Sequence, residues 1–360
     1  MTESARPLEP ENPAGDPGYP VGEPGDVVVH AGPRQSPRIV SVPTRHAEHL
    51  IDLVEGDDVF VSVTGLLDSL EVPGLMVEFV DGEFGRIEYV YPAYGPDADH
   101  PMSFTTEFRF EEPAAVHHGS ATVGTKDGAP FSHIHASWVT KDGTIRGGHL
   151  LPGALVGPKG MRLRAFALAD ARLLSDIDPE TGFSAFAPEA AGAGPTDEAG
   201  PTDRVGPTDG VVPPDGAGPA DGAGPADGAP PAGEAREPTV DREARTAPSP
   251  RVSAVVSRIR PGQLIDEAAL AVCRGAGFDA AEVRASLGST TGAVFTEGTA
   301  PWPAVEFTHL TGSVTGALGE GPQLRLMGEV VDVDGEVHSG VLASRANPVA
   351  VTFELFVQRV

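Results

Sequence analysis

Short runs in which apolar and polar residues alternate recur along most of this chain, broken by two stretches rich in Gly, Pro and acidic residues. Alternation at period two suits a half-buried strand, because successive side chains point to opposite faces. In the first block such strand-like runs cover Val59 to Val63, Leu75 to Phe79, Arg86 to Tyr91, Ser103 to Phe110, Ser120 to Thr125, Ser132 to Thr140, Thr144 to Leu151 and Arg162 to Ala169. His46 to Val54 reads as a helix. In the second block the runs are Glu282 to Ser286, Ala293 to Phe295, Val305 to Leu310, Gln323 to Val333, Glu336 to Ala343 and Val349 to Val357. Leu264, Ala268, Ala271 and Val272 mark one helical face, which Gly275 to Gly277 ends. Asp334-Gly335 reads as a hairpin turn. One or two helices over a mostly antiparallel sheet, in each block, gives an α/β chain of the α+β type.

The two interrupting stretches hold 20 of the 36 Pro and 16 of the 45 Gly. Residues 1–35 bury too little to offset chain entropy and read as a disordered tail. Residues 187–250 carry Asp197, Asp203, Asp209, Asp215, Asp221 and Asp227 at a six-residue period. A β-helix would need an apolar residue per turn, and a calcium site would need a second ligand near each carboxylate, so the stretch reads as a self-repelling linker. The expected domains are therefore 36–186 and 251–360.

The two domains are related. At an offset of 192, Lys141-Asp142-Gly143 falls on Val333-Asp334-Gly335, Gly148 on Gly340, Leu150 on Leu342 and His117 on His309. Under that alignment His133 becomes Arg325, His135 becomes Met327 and His149 becomes Val341, so the second copy drops the histidines.

Those histidines are the main candidate chemistry. His133 and His135 are two apart in a strand and share a face. If Lys141 to Gly143 form a three-residue loop with Gly143 left-handed, His135 lies opposite His149 and all three rings meet; a two-residue loop sends His149 to the other face. Three neutral imidazoles without a fourth protein ligand describe an open zinc site. The alternative is a set of core or surface histidines around a Gly-rich turn. Gly147 and Gly148 suggest close backbone approach by a ligand or a neighbouring chain, or a bulge. Arg86, Glu88 and Tyr91 could line a pocket for an anionic or carbonyl substrate, although Arg86 and Glu88 could equally be an ion pair. His117 or His118 could be a proton shuttle or a fourth ligand, and Glu306 could anchor a second site or belong to turn packing.

A net charge of -27 removes the main driving force for generic nucleic-acid binding. The one cysteine, Cys273, excludes an intrachain disulfide and reads as a small buried hydrophobe. No apolar run reaches membrane-spanning length and no signal-peptide pattern opens the chain, which reads as cytoplasmic.

His133-Ile-His135, then Asp142-Gly143, then Gly147-Gly148-His149-Leu150-Leu151-Pro152-Gly153 resembles the signature of the PPC family, the plants-and-prokaryotes conserved domain, also written PCC. Pro261-Gly262-Gln263-Leu264 is similar to that family's usual start. The resemblance implies an α/β fold with an antiparallel sheet, a trimer as the usual homo-oligomer, and a metal on His133, His135 and His149. It does not carry over the DNA role of plant members, whose Arg-Gly-Arg-Pro hook is absent here. The expectation is a metal-dependent enzyme, zinc being the expected ion, catalysing a lyase- or hydrolase-type step on a small carbonyl or carboxylate substrate. Arg86 would orient the anion, Glu88 or Tyr91 would move protons, and His117 would assist. The alternative is a non-catalytic assembly, ligand-binding or regulatory module.

Overall fold

Residues 22–97, 99–192, 239–240 and 251–360 are described by the computed structural model. The first unit runs β1 (Ile39–Thr44), β2 (His46–Leu53), α1 (Val59–Leu70), β3 (Gly74–Val90), β4 (Pro92–Tyr94), β5 (Met102–Phe104), β6 (Phe108–Phe110), β7 (Ala114–Lys126), β8 (Ala129–Val139), β9 (Ile145–Leu150), β10 (Leu155–Leu168), β11 (Ala171–Ile177) and β12 (Ser184–Ala190). A short strand, β13 (Thr239–Val240), pairs with β2. The second unit runs β14 (Ala254–Ile259), α2 (Ile265–Ala276), β15 (Ala280–Thr290), β16 (Ala293–Val294), β17 (Thr299–Ala300), β18 (Val305–Thr315), β19 (Gln323–Val331), β20 (Val337–Val341) and β21 (Val349–Arg359).

Strand order is β2-β10-β3-β7-β8-β9 in the first sheet's centre and β14-β21-β15-β18-β19-β20 in the second, all antiparallel. These orders match strand for strand, with α1 and α2 at the same place in each. The repeat is therefore structural as well as sequential. In the first unit β3 also reaches β9, pairing Tyr89 with Leu150 and Val90 with His149, so that sheet curls back on itself. β1 leaves its own unit and pairs with β14 at the edge of the second sheet.

Two expected elements change type. His46 to Val54 forms a strand, because Ala47, His49, Ile51 and Leu53 are buried at period two. Val59 to Val63 opens a helix, because Val59, Ser62, Val63, Leu66 and Leu67 are buried at helical spacing. Asp58 caps that helix by accepting from the Val61 N–H, and Glu71 ends it in the left-handed region. The β-branched valines make this segment look like a strand until the cap and the buried face are counted together.

The offset also needs correction, because it is not constant. The helices correspond at 206, the β8–β9 turns at 192, and β7 with β18 at 191. The ladder pairs His118 with Ser137 and His309 with Glu329, so His309 matches His118 and not His117. The first unit's surplus lies between β3 and β7, where β4, β5 and β6 sit.

Each unit has its own core, and a third apolar cluster joins them. Met76, Phe166, Leu168, Leu173 and Phe186 of the first unit pack with Ala254, Val256, Leu287 and Phe356 of the second. Glu78 and Arg284, which are equivalent positions in the two copies, form a two-pronged ion pair across this boundary at 2.8 and 3.1 Å. Residues 22–35 touch both units: His30 Nε2 meets the Ala350 carbonyl at 2.8 Å and Gly25 N–H donates to the Thr291 carbonyl, while Gln35 N–H donates to the Glu180 carboxylate at 2.9 Å. Residues 1–21 and the aspartate repeats of the linker lie outside the described residues. Cys273 is buried in α2, and burial pushes its thiol up to about 11, in keeping with a packing role. Among the described residues no helix is long and apolar enough to cross a membrane.

Candidate metal centre

The turn between β8 and β9 decides the site. Thr140 N–H donates to the Thr144 carbonyl at 2.9 Å, Gly143 N–H donates back to the Thr140 carbonyl, and Gly143 takes φ of 85°. Glycine adopts that angle without a Cβ penalty. This three-residue loop pairs His135 directly with His149. On β8 the residues Ile134, Ala136 and Trp138 point into the core, and His133 and His135 alternate onto the opposite face. Ring centroids lie 4.5 Å apart for His133 and His135, 5.0 Å for His133 and His149, and 5.3 Å for His135 and His149. One ligand nitrogen from each ring falls within 4.8 Å of the other two.

The second unit closes over this face with carboxylates. His133 Nδ1 meets both Glu354 oxygens at 3.1 Å. His135 Nδ1 lies 2.9 Å from the Phe307 carbonyl, and its Nε2 lies 3.3 Å from Glu306 Oε1. A carbonyl and an ionised carboxylate can only accept, so both Nδ1 atoms carry hydrogen and, in the neutral rings, both Nε2 atoms present lone pairs. Those Nε2 atoms face each other at 2.9 Å, a distance that calls for a proton or a cation between them. Two buried atoms at the same place have no hydrogen-bond partner among the described residues, His149 Nδ1 and Glu306 Oε2.

The electrostatics fit the same picture. Burial pulls His133 down, but the Glu354 carboxylate beside it more than offsets this and raises it above the ordinary histidine value. Burial, and then the neighbouring His133 and His135, hold His149 well below it, so His149 is a neutral imidazole. Burial opposes ionisation of Glu354, yet His133 keeps its carboxyl below the usual range.

Glu354 and Glu329 do not stand out in the sequence, where Glu306 is the one glutamate of the second unit that does. The strand ladders place Glu306 where the first unit has Ala115, Glu354 where it has Arg162, and Glu329 where it has Ser137. The copy that lost the histidines thus carries acidic residues at positions facing them. Only the full alignment of both units, with its changing offset, makes that visible.

The other expected site residues have partners of their own. Arg86 donates to the Gly153 carbonyl from Nε and Nη2 and pairs with Glu88 at 3.4 Å; Glu88 also takes Arg109 at 2.6 Å. Tyr91 stacks on Phe108 and packs against Gly335 of the second unit's turn. His117 reaches Glu329 at 3.1 Å as part of a separate group. His309, its ring stacked on His118 at 4.4 Å, is lowered to about 4 by burial and by His118.

The two glycines before His149 answer to close backbone approach. A Cβ on Gly148 would stand 2.3 Å from the Val90 carbonyl on β3, and one on Gly147 would stand 3.2 Å from Thr308 of the second unit. Gly148→Ala is therefore expected to cost about 1–3 kcal/mol, as overpacking against backbone does, with Gly147→Ala milder. Chemical denaturation of both variants checks this, and equal midpoints would contradict it.

Residues 41–161 match the sequence profile of the Plants and Prokaryotes Conserved (PCC) domain. No curated protein matches the chain. Among solved structures the chain is similar to a plant- and prokaryote-conserved protein from Pyrococcus horikoshii, at 15% identity over 38% of this chain and 89% of that one, with a TM-score of 0.32. It is also similar to a metal-containing protein from Archaeoglobus fulgidus, at 23% identity over 39% and 91% with a TM-score of 0.31. A third is a candidate DNA-binding protein from Bacteroides thetaiotaomicron, at 12% identity over 39% and 90% with a TM-score of 0.32.

Proposed function

We propose that this chain, which carries a PCC domain over residues 41–161, binds a divalent metal on His133, His135 and His149 and acts as a metal-dependent enzyme on a small carbonyl or carboxylate compound. The observation that carries this reading is the pair of Nε2 atoms facing each other at 2.9 Å while both Nδ1 atoms are held by oxygen acceptors. Outer acceptors of this kind fix the tautomer and ring orientation of metal-binding histidines. The donor set of three imidazoles and a nearby carboxylate suits zinc. Bound there, zinc supplies a Lewis acid that polarises a carbonyl or makes water more acidic.

This chain's own residues divide the remaining work. Glu354 orients His133, and the Phe307 carbonyl orients His135. Glu306, with one oxygen 3.3 Å from His135 and the other unpartnered, is the group placed to take up a proton or complete the coordination. Arg86 and Glu88 are engaged with Gly153 and Arg109, so the proton-moving role first considered for Glu88 passes to Glu306 in this reading. The charge of -27 keeps a phosphate backbone out of the reading.

Elemental analysis of the purified full chain tests it. The His133→Ala/His135→Ala variant should hold one equivalent of metal fewer than the parent, with its circular dichroism unchanged, and should lose turnover on a panel of small esters, lactones and hydroxy acids. Equal metal in both proteins would remove the proposal. A second reading, in which the metal joins the two units without turnover, draws on the burial of the site: His135 is 1% exposed and the Glu354 side chain 3%. Metal lost in the variant but no parent turnover on the panel would favour it.

A further inference from the structure

Strand β7 is irregular at one position. The ladder pairs Val116 with Trp138 and then His118 with Ser137, which leaves His117 as the extra residue of a bulge. In an unbroken strand His117 and His118 would point to opposite faces. The bulge re-aims one of them, as bulges beside functional sites do. Both imidazoles consequently reach the same atom of the second unit: His117 Nε2 and His118 Nδ1 each lie 3.1 Å from Glu329 Oε2.

Glu329 is built into its place. Its side chain is 3% exposed, and its other oxygen accepts from Ser137 Oγ and from Thr308 Oγ1. One carboxylate oxygen is thus fixed by two hydroxyls while the other faces two rings. The three ligand atoms all lie within 4.8 Å of one another. His117 stands at the surface, which gives an ion a way in and leaves room for water in the remaining positions.

We propose that His117, His118 and Glu329 form a second site, separate from the His133 group, for a divalent transition-metal cation such as zinc or cobalt(II). Two imidazole nitrogens and one carboxylate oxygen with open positions are a recurrent donor set for such ions. The site spans the two units, because Glu329 comes from the copy without the histidine cluster. Simple histidine–glutamate ion pairing is the competing account, and it predicts no metal at this place.

The experiment titrates full-length, metal-stripped protein with cobalt(II), read by calorimetry and by visible absorption. In the His133→Ala/His135→Ala background one equivalent should remain. Adding His117→Ala, at an exposed residue whose loss leaves the core intact, should weaken that equivalent by more than the roughly 10–100-fold a supporting residue carries. No binding left in the double-variant background, or residual binding indifferent to His117→Ala, would overturn the proposal. Should the first site hold no metal, the parent would bind one equivalent that is insensitive to His133→Ala/His135→Ala and lost with His117→Ala. The two readings therefore fail separately.

Discussion

Glu354→Gln is expected to lower metal affinity at the His133 group by about 10–100-fold, the usual cost of losing an outer-shell carboxylate. The residue lies in the second unit, outside the span that matches the PCC profile. It accepts from His133 Nδ1–H at 3.1 Å and so turns Nε2 toward His135. Glutamine keeps the shape and removes the charge. Glu306→Gln should produce an effect at least as large, because Glu306 faces the rings directly. Competition with a chelator of known affinity measures both. Unchanged affinity in both variants would reduce the second unit to a cover and leave the site to the first unit alone. The affinities should also fall as the solution is acidified, since protons compete for the same imidazole lone pairs. The raised value of His133 places the start of that loss above the ordinary histidine value.

Trp138→Ala should be the most destabilising single change among these, at about 3–5 kcal/mol, the range for removing a large buried aromatic. Trp138 is fully buried, meets Tyr89 edge-on at 4.8 Å and approaches Phe84 at 6.2 Å. It points inward from β8 while His133 and His135 point the other way, so it is the core-side anchor of the strand that carries them. Among the described residues its Nε1 has no hydrogen-bond partner, so Trp138→Phe should cost much less than the alanine change. Urea denaturation followed by circular dichroism checks the order. A loss for alanine no larger than for phenylalanine would mean that β8 is held by something other than this packing.

The three-histidine group was legible because its geometry is local. Period-two spacing on one strand and the loop length of one turn decide it, and both can be read from Phe131 to Gly153. The facing carboxylate Glu354 was not, since it lies more than 150 residues away and becomes visible only through the pairing of strands in both units; Glu306 stood out in the sequence, but not as a neighbour of these rings. The misread α1 has a simpler cause. Val59, Val61 and Val63 suggest a strand, and only the cap at Asp58 and the later Leu66 and Leu67 restore the helical face. The matching helix of the second unit, α2, was readable, and carrying it back by 206 positions would have identified α1 from sequence. A single offset of 192 hid this, because the first unit's surplus residues lie between the two halves of the match.

The outlying strand β1 has a consequence for synthesis. Its partner β14 begins about 210 residues after β1 ends. At roughly 5–20 residues per second on the ribosome, β1 waits about 10–40 s for that partner. During that interval the nascent chain exposes a strand edge, Ile-Val-Ser-Val-Pro-Thr, of the kind that recruits other chains. Pro43, which cannot donate a hydrogen bond, limits that recruitment at one position of the edge. The order of translation thus runs against the order of assembly, and the first of the described strands is among the last to find its place.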